Sequence, residues 1–300
     1  MIEEKLVVII ILNYNKKEDT LICLESVSNL NYSPFEIILI DNGSVDGSAE
    51  KIKNIFPRVH LIESKKNLGA SGGRNLGIKY ADENFNYEFL FFLDNDVTIR
   101  QNALSEMVQS FFSEENIGIV SPKCYVMNSH GIIKYAGGMQ VNFITGSISD
   151  IGGGKKDEGQ FEISKFISAS GGLFLISKSV VNEVGNFDEY FNPYGWEDID
   201  FSLRVRKLGY NILYNPKAVI YHKGGKLGRG KAINEYEYSK VKNYFYLFRK
   251  HANYLQLFII ALILPFKIIY IAVKEIFRGE FGVIISQIRG LLSIFKSRKK

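Results

Sequence analysis

Short apolar runs alternate with helix-spaced segments through the first 120 residues, and this alternation constrains the fold more than any other feature of the chain. The runs are "KLVVIIIL" ending at Leu12, "FEIILI" at Ile40, "RVHLIE" at Glu63, "EFLFFL" at Leu93 and "IGIVS" at Ser121. An uninterrupted apolar run this short suits a strand covered on both faces, the kind found in the middle of a parallel sheet. Between the runs lie "KKEDTLICLESVSNL", "GSAEKIKNIF", "ASGGRNLGIKYADE" and "QNALSEMVQSFFSE", with apolar residues at roughly helical spacing. The expected class is α/β, with a mostly parallel, Rossmann-like sheet and helices on both faces.

Residues 122 to 165 change character, being rich in Gly, Ser and Asn without a period, and "IGGGKKDEGQ" reads as a mobile loop. Periodicity then returns: "GGLFLIS" as a strand, "WEDIDFSLRVRKLGY" as a helix, "NILYNPKAVIYH" as a strand pair and "INEYEYSKVKNYFYLFRKH" as a long helix. The glycine-rich basic stretch "KGGKLGRGKA" between the last two reads as a loop able to fold over an anionic ligand. A boundary is expected after His251, with 1–251 as the main folded domain and 252–300 as a C-terminal tail.

The formal charge is +5, but ten Lys/Arg against two Asp/Glu from Arg249 onward give that tail +8 and leave the first 248 residues at −3. A nucleic-acid reader would carry its basic face on the folded domain, so nucleic acid is not an expected partner. The tail holds "LQLFIIALILPFKIIYIAV", interrupted by Gln256, Pro265 and Lys267, and then "FGVIISQIRGLLSIF" before the basic end "KSRKK". A lysine in mid-segment makes a clean span expensive. Two amphipathic or re-entrant helices on the cytoplasmic face of the membrane fit better, with Lys/Arg meeting anionic headgroups; packing against the domain is the alternative. Cys23 and Cys124 are the only cysteines, too few for a disulfide framework.

Three of the apolar runs end in ligand-ready residues: Leu12 leads to "NYN", Ile40 to "DNGS" and Leu93 to "DND". In an open α/β sheet the carboxyl ends of the strands border the ligand crevice, so these tips should converge. The first tip has neither the G-x-G-x-x-G of a dinucleotide site nor a P-loop. Two carboxylates at a strand tip, Asp94 and Asp96, suit Mg²⁺ or Mn²⁺, whose remaining positions are usually filled by phosphate oxygens and water. Acidic residues in such turns are also often only solvated or capping groups.

Taken together, "VVIIILNYN", "IILIDNGSVDGS", "KNLGASGGRNLGI", "FLDNDV", "GWEDIDFSLRVRKLGY" and "HKGG" span residues 7 to 225 in order. This set resembles the inverting GT-A glycosyltransferases of family 2, most closely the bacterial and archaeal rhamnosyltransferase-like members. The resemblance implies a GT-A fold, a nucleotide-sugar donor, a saccharide or polyprenyl-linked acceptor, and Mg²⁺ or Mn²⁺ as cofactor. It places Asn13, Tyr14 and Asn15 in the loop against the nucleotide and Asp41, with Asn42, at the base. Gly69 lies where a helix start approaches the ligand, while Arg74 and Asn75 face the ribose or diphosphate. Asp96 corresponds to the direct metal ligand, Asp94 to a residue on the ribose or a metal-bound water, Asn95 between them to a nucleotide-sugar contact, and His222 to a third ligand. Asp198 takes the place of the catalytic base with Glu197 beside it. Gly172, Trp196 and Glu197 form the acceptor side.

Simpler roles exist for the same residues. Asp41 can open an Asx-type turn, the glycines can pack helix on strand, and Glu197, Asp198 and Asp200 can be first-turn helix acids. Two other functional classes also compete. A sugar nucleotidyltransferase would carry a Gly-rich loop with Arg and Lys after the first strand, where "NYNKKED" stands. A non-catalytic membrane-bound carbohydrate-binding protein would not need the metal pair, the base and the histidine together.

Overall fold

The computed structural model describes residues 5–224, 231–277 and 279–296. Its first half alternates as expected: β1 (Val7–Asn13), α1 (Lys17–Ser28), β2 (Phe35–Asp41), α2 (Ser48–Ile55), β3 (His60–Glu63), α3 (Gly69–Asn84), β4 (Phe89–Asp94), β5 (Val97–Ile99), α4 (Ala103–Ser113) and β6 (Ile117–Val126). The strands β4, β1, β2 and β3 are parallel neighbours, with Asn13 in register with Asp41 and Leu12 with Asp94. The three predicted tips therefore lie side by side at one end of the sheet.

The uninterrupted apolar runs follow from burial on both faces. Phe89, Phe91 and Leu93 of β4 join Val7, Ile9 and Ile11 of β1 in one core with α1, α2 and α4. Leu90 and Phe92 join Val8 and Ile10 in the opposite core, against α3. Each such side chain removed from water contributes on the order of 1.5–3 kcal/mol, so this central pair anchors the domain.

The chain continues with β7 (Ile133–Ala136), β8 (Gly138–Asn142), β9 (Ser147–Asp150), β10 (Lys165–Phe166), β11 (Ala169–Ser170), β12 (Phe174–Ser177), α5 (Lys178–Val184), α6 (Glu197–Lys207), β13 (Asn211–His222), α7 (Lys231–His251), α8 (Tyr254–Phe277) and α9 (Phe281–Lys296). The main sheet has ten strands in the path β10-β13-β6-β12-β4-β1-β2-β3, with β5 on β13 and β7 on β6. It is mixed, because β12 runs antiparallel to both β4 and β6. Strand β12 therefore starts beside the tip of β4, with Phe174 opposite Phe92, and runs to its base, with Ser177 opposite Phe89, which sets Gly172 at the tip.

Several expectations need correction. The "NILYNPKAVIYH" segment is one strand, not a pair: its pairing with β6 shifts register between Asn215 and Val219, which absorbs Pro216 at a bulge. The segment 122–165 is not irregular, since β8 and β9 within it join β11 just beyond it in a second, three-stranded sheet. Nor is "IGGGKKDEGQ" loose. The amide of Ile133 donates to Lys155, that of Gly154 donates to Ile133, and Asp157 accepts from the buried Lys123 ammonium at 3.0 Å. Residues 225–230 of "KGGKLGRGKA" and 297–300 of the basic end lie outside the described residues.

Among the described residues no helix is long and apolar enough to cross a membrane. Helix α9 lies along α7, with Gly282 and Gly290 at the closest approach to Asn234, Tyr238 and Val241. Helix α8 begins on the domain, with Ile260 buried beside Phe248 and Phe191. Its outer side leaves Leu255, Phe258, Leu262, Phe266 and Tyr270 exposed. Cys23 and Cys124 are buried and unpaired.

Candidate active site

Asn13 is the internal tie of the crevice rather than its surface. It is fully buried, its Nδ2 donating to Asp41 Oδ1 and Ser44 Oγ at 3.1 Å each, and its Oδ1 accepting from Thr20 at 2.9 Å and Asn95 at 3.0 Å. Asn95 thus points inward, between the two aspartates that flank it in sequence. Asn42 is likewise engaged: Oδ1 accepts the Leu68 amide at 2.9 Å, and Nδ2 reaches Gly69 O and Asn67 Oδ1 at 3.1 Å each. Three asparagines therefore join the tips of β1, β2 and β4 to the start of α3, because buried amides must find partners.

The residues left facing the crevice are fewer. Tyr14 is 48% exposed, and the Asn15 amide donates to Ser44 Oγ, which fixes the first loop on the second. Asp41 is nearly buried, with Oδ1 taken by Asn13 and Ser44. Its Oδ2 has no hydrogen bond among the described residues.

Helix α3 explains the glycines. Gly69 has φ of +74°, and a Cβ there would meet the Asn192 side chain at 2.3 Å, while one on Gly77 would meet Ile10 at 2.6 Å. These glycines let α3 sit against β1 and the 192 loop. That close approach brings Arg74, 5% exposed, to the tip of β4. Its guanidinium reaches Glu197 Oε1 at 3.2 Å and Asp94 Oδ1 at 3.6 Å, with the Gly172 carbonyl at 3.5 Å. Asn75 turns the other way, bonded to the Phe187 backbone at 2.8 and 3.0 Å and to Glu189.

Asp94, Asp96 and His222 offer one ligand atom each, all within 4.8 Å of one another. His222 arrives from the end of β13, which β5 places antiparallel to itself with His222 opposite Val97. Its Nδ1 receives the Gly224 amide at 2.8 Å and faces Lys134 Nζ at 2.9 Å, so the ring proton rests on Nε2. Nε2 stands 3.4 Å from Asp94 and 3.5 Å from Asp96. Burial pushes the Asp94 carboxyl up, but the His222 hydrogen bond and the charges of Arg74 and Lys134 hold it well below the usual carboxylate range. Two carboxylates and an imidazole converging on one point fit a hard divalent cation, which would take the place of the Nε2 proton. Lys16 Nζ, 3.1 Å from Asp96 and partly exposed, is a counter-charge on the solvent side.

The two acids of α6 divide their tasks. Glu197 is buried, its Oε1 on Arg74 and its Oε2 accepting the Gly195 amide at 2.8 Å. Asp198 is half-buried, with Oδ1 on the Ile199 amide at 2.8 Å and Oδ2 bonded to nothing among the described residues. Burial and the neighbouring Glu197 and Asp94 charges, opposed in part by Arg74, push the Asp198 carboxyl up to about 7. Such a group can exchange a proton near neutrality. Asp200 is fully buried and faces away, held by Arg204 at 2.9 Å and by Lys250 and His251 at 2.8 Å each. It ties α6 to α7. Trp196 also turns to α7, its Nε1 donating to the Lys240 carbonyl at 2.9 Å.

Sequence reasoning passed over Lys134 and Lys16. Lys134 had one signal, a lone lysine inside the apolar run "GIIKYAGG". Lys16 had none beyond its place after "NYN".

Comparison with known proteins bears on the family and the fold. Residues 8–185 match the family described as glycosyl transferase family 2. A poly-beta-1,6-N-acetyl-D-glucosamine synthase of Staphylococcus epidermidis is 29% identical over 212 residues, covering 69% of this chain and 47% of that protein. The low-salt glycan biosynthesis hexosyltransferase Agl10 of Haloferax volcanii is 28% identical over 206 residues, covering 68% and 62%. The chain thus spans about half the length of the first of these curated relatives. Among solved structures, GalNAc-T7 with UDP, GalNAc and Mn²⁺ superposes with a TM-score of 0.59 at 18% identity, covering 78% of this chain and 48% of that one. Staphylococcus aureus TarS 1-349 superposes at 0.51 and 17%, covering 86% and 70%. These likenesses establish the GT-A fold.

Proposed function

Because the chain belongs to glycosyl transferase family 2, we propose that it moves a sugar from a nucleotide-diphosphate donor to a saccharide or lipid-linked acceptor, with inversion, in the synthesis of a cell-surface polysaccharide. One observation carries this reading. A carboxylate pair with an imidazole, fit for a cation, shares a crevice with a separate carboxylate, Asp198, whose affinity for a proton is raised.

In this reading Tyr14, Asn15 and Asp41 meet the nucleoside, and Asn13, Asn42 and Asn95 hold the loops that do so. A divalent cation, Mn²⁺ or Mg²⁺, held by Asp94, Asp96 and His222, supplies positive charge against the diphosphate. Arg74 adds a fixed positive charge beside Asp94, and Glu197 holds it there. Asp198 accepts the proton of the acceptor hydroxyl as that oxygen bonds to the anomeric carbon and the bond to the diphosphate breaks. Gly172 and Trp196 flank the acceptor side. Lys134 orients His222 through Nδ1.

The catalytic part is taken as 1–251. The exposed apolar side of α8 and the basic excess after Arg249 support attachment to the cytoplasmic face of a membrane. Rhamnose, favoured by the sequence motifs, is the first donor sugar to test, beside N-acetylglucosamine and other hexoses as UDP, dTDP and GDP derivatives.

The experiment is transfer to simple saccharide acceptors, with the anomeric configuration of the product read by proton NMR. Inversion relative to the donor supports Asp198 as a single base. Retention overturns it.

A further inference from the structure

Helix α7 packs against the segment 188–196, which leads directly into Glu197 and Asp198 at the start of α6. Its Lys240, Asn243, Tyr246 and Lys250 are spaced three and four apart and so share one face of the helix. That face meets the segment from end to end. Lys250 Nζ reaches Asp188 at 2.7 Å, and the Tyr246 hydroxyl donates to the same carboxylate at 2.9 Å. At the other end the Lys240 carbonyl accepts the Trp196 indole.

Asn243 is the centre of this contact. It is fully buried, and its Nδ2 donates to the carbonyls of Phe191 at 2.6 Å, Tyr194 at 3.0 Å and Gly195 at 3.3 Å. An amide nitrogen has two hydrogens, so one of them is shared between two carbonyls. The three carbonyls also fix which way the amide faces, because the reversed group would set oxygen against oxygen. Its Oδ1 is buried with no hydrogen-bond partner among the described residues. A buried acceptor left unpaired costs about 1–3 kcal/mol, so the amide suits this position through its donors alone.

What those donors hold is strained backbone. Gly195 has φ of +104° and Trp196 of +73°, the left-handed region in which a bulky side chain costs on the order of 1–3 kcal/mol. The turn aims the Gly195 amide at Glu197 Oε2, 2.8 Å away, and the Trp196 carbonyl at the Asp200 amide, 2.9 Å away in the first turn of α6. The same segment is tied to the start of α3, where Pro193 O accepts the Ala70 amide at 2.9 Å and Asn192 Oδ1 accepts the Ser71 amide at 3.1 Å. It therefore joins the helix that carries Arg74 to the helix that carries the two acids.

We propose that Asn243 is a positioning residue for sugar transfer: by gathering the carbonyls of Phe191, Tyr194 and Gly195 it holds the turn that sets Glu197 and Asp198 in place. The inference rests on the transferase reading for the reaction it serves. Without those bonds the turn relaxes, Glu197 loses the Gly195 amide, and Asp198 shifts relative to the acceptor hydroxyl. A base must stand within roughly 2.6–3.2 Å of the atom whose proton it takes. A misplacement of about 1 Å caused by a distant change can cost on the order of 10²-fold in rate.

The first variant is Asn243→Asp, which keeps the size of the side chain and removes its donors. Asn243→Ala is the second, since a buried carboxylate can prevent folding. Tyr244→Phe is the control, because it removes the bond that the next residue of α7 makes to the Gly146 carbonyl. All are assayed as the full chain, at a temperature where circular dichroism shows them folded. In the Asn243 variants kcat should fall about 10- to 100-fold with donor Kd nearly unchanged. Tyr244→Phe should stay close to the unaltered chain. Trp196 is the only tryptophan, so its emission reports the turn, and acrylamide should quench it more strongly in the Asn243 variants. Unchanged kcat, unchanged quenching, a loss of donor affinity as large as the loss of kcat, or an equal loss in Tyr244→Phe would each overturn the inference. If the unaltered chain transfers no sugar, the transferase reading falls, and the quenching still decides whether Asn243 holds the turn.

Discussion

Replacing Asp198 by asparagine separates a catalytic base from a helix-start residue. The side chain keeps its shape, and its Oδ1 can still accept the Ile199 amide at 2.8 Å. The open Oδ2 position becomes an amide nitrogen that cannot take a proton. Loss of a general base costs on the order of 10²- to 10⁴-fold in rate, or about 3–5.5 kcal/mol of barrier. Donor affinity should be nearly unchanged, because the substitution touches neither Asp94, Asp96 and His222 nor the Asp41 loop. Stability should not fall, since the change removes a negative charge from beside Glu197. The assay is kcat at saturating donor and acceptor, with donor Kd and Tm measured alongside. The pH profile adds a second reading. Burial and the charges of Glu197 on the same helix and Asp94 on β4 push this carboxyl up to about 7, Arg74 on α3 pulls the other way, and Tyr135 on β7 also faces it. A base must be ionised, so kcat/KM should climb as pH rises through about 7 and level off above it. Asp198→Asn should lose that limb. A rate within threefold of wild type, or an unchanged limb in the variant, would refute the assignment.

Asp96→Ala should abolish the dependence of nucleoside diphosphate binding on Mn²⁺, seen by calorimetry with and without chelator. Glu197→Gln should leave Arg74 with a weaker partner at 3.2 Å, so it should lower Tm clearly while reducing kcat less than Asp198→Asn does. Asp200→Ala leaves Lys250 and His251 without their buried partner and should cost about 3–5 kcal/mol in denaturant unfolding, with no specific change in donor Kd. Phe91→Ala, at a fully buried position in the central strand, should cost about 3–5 kcal/mol in the same assay. Phe258→Glu with Phe266→Glu, both on exposed positions of α8, should reduce co-sedimentation with anionic vesicles without lowering Tm.

The parts of the fold that were legible in the sequence are those where one physical signal dominates. Strands β1, β2 and β4 are buried on both faces, so their apolar runs are unbroken and their polar tips are easy to see. Strands β5 and β7 to β9 have three to five residues each, too few for a period to emerge. Strand β13 was split by Asn215 and Pro216, whose turn-like pair sits at a bulge within one strand. At the site, "DND" and "WEDID" marked residues that the fold brings to one crevice, yet spacing alone could not separate residues that face the crevice from those that hold it. Asn13, Asn42, Asn75 and Asn95 are spoken for by buried partners that come from distant segments. The contrast between Glu197 and Asp198 depends on Arg74, which lies 123 residues away from Glu197. Lys134 reaches His222 only because β7 pairs with β6 beside β13.

The central claim is that the crevice at the tips of β1, β2 and β4 turns over a nucleotide sugar with help from a divalent cation. The measurement that tests it most directly is nucleotide release by the purified chain from a panel of UDP-, dTDP- and GDP-sugars, in Mn²⁺ or Mg²⁺ and again in chelator. Release from at least one donor that depends on the cation and disappears in Asp96→Ala is the predicted result. Release from none of them with acceptors supplied, or release that is equal in chelator and in the variant, would contradict the account.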